Sequence, residues 1–204
     1  MRLSRWFAVT LLASQVCQPE SLEKRPIEVS ANLEQQSYCP GDNETFSVHL
    51  KLRLRFVNHS DERLIIFRKT GDDWYDIRVA KSTSDISDKR YEYNPNIDWF
   101  SDVQHAPEDA DLRKKFVVLM PGESFENETT VSVVASFDPR HPVVGTVKPG
   151  QHVLELQLAT WTYLDSPEAT RVRWERNGRL FSQNVTTESV EFEFPHDPSF
   201  SNCH

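Results

Sequence analysis

The run from Phe46 to Phe56 constrains the fold more than any other stretch of the chain. Phe46, Val48, Leu50, Leu52, Leu54 and Phe56 alternate strictly with Ser47, His49, Lys51, Arg53 and Arg55. Successive side chains of an extended chain point to opposite faces, so these apolar residues share one side, whereas a helix would scatter them around its circumference. A strand with one wet face belongs in a sheet whose other face is covered. The same period of two runs through Ile27, Val29, Ala31 and Leu33, through Tyr75, Ile77 and Val79, and through Val190, Phe192 and Phe194. Leu64 to Phe67 and Phe116 to Met120 are continuous apolar runs, which fit strands buried on both faces or crossing a sandwich interior. Ser124 to Ala135 and His152 to Tyr163 complete a set of about eight strands, and no stretch predicts a long helix.

Turn chemistry punctuates these strands. All six glycines sit in turn contexts, among them Pro121-Gly122, Pro149-Gly150 and Asn177-Gly178. Asn177-Gly178, with Val172 and Trp174 before it and Leu180 and Phe181 after it, predicts a hairpin. Short strands joined by such turns predict an all-β, antiparallel β-sandwich. One long inserted loop runs from about Ser82 to Lys114, and a second long connection runs from about Asp138 to Lys148.

The chain opens with Arg2 and Arg5 and an apolar run from Trp6 to Ala13 that is too short to span a bilayer. Residues 1–17 are read as an export signal and 27–204 as a single sandwich domain, placing the protein outside the cytoplasm, secreted or periplasmic. Cys17 either leaves with the signal or carries a lipid in an envelope lipoprotein, although the bulky Val16 before it departs from that signal. Either route leaves Cys39 and Cys203 to form a disulfide in an oxidising compartment. The chain-entropy model credits so long a closed loop with roughly 4 to 5 kcal/mol.

Composition narrows the partners. A net charge of -8 with no polybasic stripe argues against nucleic acid and anionic membrane surfaces. With 26% charged residues, no membrane-spanning segment is expected in the mature chain. Catalytic patterns do not emerge: Gly122-Glu123-Ser124 continues with Phe125 and Glu126 rather than a nucleophile elbow, and Ser124 reads as the first residue of a strand. His49 falls on the polar face of its strand. No cofactor, metal site or enzymatic activity is expected.

Two features of the long loop attract attention. Asp98, Asp102, Glu108, Asp109 and Asp111 could gather round a divalent cation, but without regular ligand spacing they read as a solvated loop. Tyr91, Tyr93, Trp99 and Phe100 are the candidate binding residues, since large aromatics give much contact area to a protein or glycan partner for little entropy. The competing reading folds them back to cap an open edge or end of the sandwich. Asn-x-Ser/Thr sequons begin at Asn43, Asn58, Asn127 and Asn184 and would lie on the surface if glycosylated.

Leu52-Arg-Leu-Arg-Phe-Val-Asn-His-Ser60, Leu64 to Phe67, Tyr75 to Val79, Leu119-Met-Pro-Gly-Glu123 and Val147-Lys-Pro-Gly-Gln-His-Val-Leu154 together resemble the layout of bacterial immunoglobulin-like domains. They are similar in particular to the family named after an intracellular proteinase inhibitor of Bacillus, over roughly Phe46 to Tyr163. The resemblance implies an immunoglobulin-like sandwich. The function expected is a non-enzymatic, extracytoplasmic binding domain. Its alternative is a secreted proteinase inhibitor acting through an exposed loop, with Asp138 to Val144, stiffened by Pro139 and Pro142, as the nominated segment. No inhibitory residue of the family maps onto the chain.

Overall fold

The alternation between Phe46 and Phe56 becomes strand β2 (Thr45–Asn58), and each of its six apolar side chains is at most 4% exposed. β2 lies between β1 (Ile27–Pro40) and β6 (Ser124–Ser136), antiparallel to both. The computed structural model describes residues 25–41, 45–68, 75–95, 112–136, 147–161, 166–197 and 199–200. Over them the protein is mostly β, with antiparallel sheets.

A second sheet joins β4 (Tyr75–Ala80), β7 (Gly150–Leu158) and β10 (Val190–Phe194) in the order β10-β7-β4, and the short β9 (Val185–Thr186) also pairs with β7. The apolar faces of the two sheets share one core. Ile27, Val29, the β2 residues, Val131 and Val133 meet Ile77, Val79, Leu154, Leu156, Phe192 and Phe194. A smaller sheet, β5-β3-β8, combines β3 (Leu64–Phe67), β5 (Phe116–Leu119) and β8 (Arg179–Leu180). β3 is buried on both faces, as its unbroken apolar run predicts: Leu64 and Ile66 enter the main core, while Ile65 and Phe67 enter a second cluster with Phe116, Trp174 and Leu180. The expected run from Phe116 to Met120 is covered less completely, for Val118 in β5 is 38% exposed and Met120, just beyond it, 44%.

Three findings correct the sequence-based expectation. β1 continues well past Leu33, because a register irregularity between Leu33 and Gln35 lets the strand go on after its simple alternation ends. Residues 167–174 form helix α3 (Pro167–Trp174) rather than a hairpin strand. Ser166 caps it by accepting the Glu168 N–H at 3.3 Å, and Pro167 stands in its first turn, where a missing N–H costs nothing. Asn177-Gly178 is no hairpin turn either. Gly178 sits at φ +143°, and a Cβ there would lie 2.9 Å from the Arg63 carbonyl oxygen. The close approach brings the chain in parallel beside β3, with Arg179 N–H donating to Arg63 O at 2.8 Å.

The expected insertion after β4 begins with the short helix α1 (Thr83–Ser87), capped by Ser82, and the chain reaches β5 through α2 (Leu112–Lys115). Residues 90–95 return to the sheet, where Val79 N–H donates to Tyr93 O and Glu92 N–H to Val79 O, both at 2.8 Å. No helix among the described residues is long and apolar enough to cross a membrane.

Candidate functional site

The aromatics nominated from the sequence do not form one exposed platform among the described residues. Tyr93 is 6% exposed, its ring in the main core and its hydroxyl hydrogen-bonded to the backbone of Val134 on β6. Burial pushes that hydroxyl above the usual phenol range, and the Val134 hydrogen bond opposes it. Tyr91 is half-buried against Ala80, Ile86 and Val153, with the Arg78 guanidinium carbon 5.9 Å from its ring centroid. Trp99 and Phe100 lie outside the described residues, as do the carboxylates from Asp98 to Asp111, the nominated inhibitory segment 138–144, Asn43 and Cys203. Among the described residues no group of three or more His, Cys, Asp or Glu side chains is placed to hold a metal ion.

The remaining candidates are also placed. Ser124 opens β6, as read from the sequence. His49 stands on the polar face of β2, 2.8 Å from Ser47 Oγ and 3.5 Å from Ser132 Oγ. Of the sequons, Asn58 is fully buried, Asn127 is half-buried on β6, and Asn184 is exposed between β8 and β9. Cys39 pairs opposite Ser47, yet is only 8% exposed.

A feature that the sequence does not advertise lies where β1 begins. Residues 25–29 form one wall of a cleft of about 650 Å³, residues 181–188 form the other, and His59 stands at its end. Ile27, Val29, Phe181 and Val185 supply apolar lining, each buried. The rim is polar: Glu28 Oε2 meets His59 Nε2 at 2.9 Å, and Gln183, Asn184, Thr186 and Glu188 face it.

Backbone hydrogen bonds fix the walls of this cleft. Asn58 N–H donates to Glu123 O at 3.0 Å and Asn58 C=O accepts from Gly122 N–H at 2.8 Å, so its backbone turns away from β1. Its partner Ile27 therefore turns its own N–H and C=O away from β2, because paired antiparallel residues face each other or face apart together. Val29, two residues on, has the same sense, and its C=O accepts the Glu188 N–H at 3.1 Å. On the facing wall Thr187 N–H donates to Leu156 O at 2.9 Å, so the preceding Thr186 turns its backbone toward β1. Farther along, Gln36 and Tyr38 each donate to Glu193 O, the latter at 3.2 Å, tying β1 to β10.

The alternation at Ile27 and Val29 marks them as core residues but not as the wall of a cleft. Their alternation tells which side chains are buried and carries no record of which backbone groups are paired. No protein-family model matches the chain, and no curated protein matches it.

Proposed function

We propose that the protein is a non-enzymatic, extracytoplasmic binding domain of immunoglobulin-like sandwich type, and that it takes a protein or glycan partner in the cleft between residues 25–29 and 181–188. The observation that carries this reading is a concave site that joins buried apolar lining to a polar rim with the Glu28–His59 pair. Its volume lies within the range of about 300–1,000 Å³ usual for binding clefts. The start of the chain and the resemblance to bacterial immunoglobulin-like domains support export and the sandwich type. Burial of Cys39, on the face of β1 that it shares with Ser37 and away from Tyr38, supports a bridge to Cys203.

The experiment is photo-crosslinking in the native envelope or secretion fraction. A photoreactive side chain at Asn184, on the cleft rim, is expected to give a discrete adduct, whereas the same group at Glu126, on the exposed face of β6, gives none. Adducts at Glu126 alone, or none at either position, overturn the cleft as the binding site.

A further inference from the structure

We propose that His152 and Glu92 form a proton-dependent latch, which ties the arm of residues 90–95 to β7 and loosens its hold as the pH rises. His152 pairs opposite Phe192, and its side chain is fully buried, with the Phe192 and Phe194 ring centroids 5.7 and 5.4 Å from its own. Both ring nitrogens meet oxygen atoms: Nδ1 stands 2.8 Å from the Gly150 carbonyl oxygen, and Nε2 stands 2.9 Å from Glu92 Oε2. A carbonyl oxygen accepts and cannot donate, so the Gly150 bond takes a proton on Nδ1. The Glu92 bond then needs one further proton between Nε2 and the carboxylate. With that proton present, an imidazolium donates at both nitrogens. Without it, two lone pairs face each other, and the buried ring has no water to turn to.

The charged surroundings favour release of the arm over exchange of one partner for another. Lys81 places Nζ 3.9 Å from Glu92 Oε2 and donates to the Lys148 carbonyl oxygen at 3.4 Å. Its charge keeps Glu92 a carboxylate, so the shared proton resides on the imidazole. Glu92 is partly exposed and can turn toward Lys81 and solvent once the imidazole is neutral. β10 turns Phe192 and Phe194 to the ring, while Glu191 and Glu193 lie on its exposed face. Arg90, on the same arm, is engaged by Asp85 and Asp88. Among the described residues the latch is thus answerable to one histidine, the side chain whose charge ordinarily changes near neutral pH.

Glu92 also anchors the arm through its backbone. Its N–H donates to Val79 O, and the Val79 N–H donates to Tyr93 O, both at 2.8 Å. Loss of the latch leaves the arm held by these bonds and by the Tyr93 hydroxyl on Val134. In sequence, the arm leads directly into Trp99 and Phe100, so the latch makes the root of that aromatic segment sensitive to pH. The sign is fixed by the proton: the hold is complete while the pair keeps it and is lost as rising pH removes it.

Native-state amide exchange of the full chain, followed by NMR from about pH 5 to about pH 8 and corrected for intrinsic exchange, tests the latch. The Glu92 and Val79 amides are expected to lose roughly tenfold in protection over this interval relative to the Leu50 amide of β2. The His152 ring nitrogens, observed in the same samples, should pass from two protonated to one with the same midpoint. In Glu92→Gln, which keeps hydrogen-bonding groups and has no carboxylate, the loss should shrink to less than about twofold. Protection that stays level in the wild type overturns the latch, as does an undiminished loss in Glu92→Gln. Should that variant fail to fold, the wild-type ring titration decides: coincidence with the loss of protection supports the latch, and a different midpoint or an unchanging ring overturns it.

Discussion

Asn58 does more for the fold than its place in a sequon suggests. Its buried amide donates to Glu62 O at 2.8 Å and Leu119 O at 3.0 Å, and its Oδ1 accepts the Ser60 N–H at 2.9 Å and the Ser60 hydroxyl at 2.7 Å. These bonds knit the β2–β3 turn to the end of β5. Asn58→Ala should cost about 2 to 4 kcal/mol in urea unfolding, since two carbonyls lose their donor and at least one is buried. The same bonds leave no room for a glycan. Made in a eukaryotic secretory host, the folded protein should carry sugar at Asn184 and none at Asn58, which peptide mapping before and after glycosidase treatment would read. Tyr93 belongs at this scale too. Its hydroxyl resists ionisation in the folded state, so the stability it contributes is complete below about pH 10 and is lost as pH rises toward the raised folded value. Tyr93→Phe should cost about 1 kcal/mol at neutral pH by losing the Val134 bond, and should soften the alkaline loss of stability measured by denaturant titration.

At the scale of elements, α3 and Gly178 act together. The helix lays Trp174 against Phe116, ring centroids 4.5 Å apart and nearly perpendicular, over the outer face of β3. Trp174→Ala should destabilise by about 3 to 5 kcal/mol, the range for emptying a buried aromatic site. Gly178→Ala should cost at least about 1 kcal/mol, because a side chain is strained at that φ and its Cβ would collide with the Arg63 carbonyl. Chemical unfolding followed by tryptophan fluorescence would check both. A helix start was legible in Ser166-Pro167-Glu168, but Val172, Trp174, Leu180 and Phe181 around Asn-Gly also fit a hairpin. The conflict is settled by the tertiary contact with Arg63, which no local pattern contains. The edges of the sheets are managed by side chains from elsewhere. Tyr75 donates to Thr130 O at 3.1 Å and Tyr93 engages Val134, so the outer edge of β6 is partly covered, as exposed edges commonly are.

Over the whole molecule, the proposed Cys39–Cys203 bridge would join the end of β1 to the end of the chain. Thiol labelling of the unreduced mature protein should find both cysteines unreactive, and reduction should lower the thermal midpoint as the loop-closure constraint is lost. The alternation in β1, β2, β4 and β10 determined by itself which segments are strands and which side chains face the core, because strand geometry sets side-chain direction residue by residue. It also carried the double burial of β3. Strand order, the parallel placement of β8 and the pairing of the edges were decided only by the tertiary structure, since each depends on segments distant in sequence. The cleft belongs to that second class. Its lining comes from residues 25–29, His59, Phe181 and residues 183–188, which are far apart in sequence. Apolar periodicity records the burial of side chains, whereas a backbone edge is a property of which strands meet, and that is fixed only when the sheets close on one core.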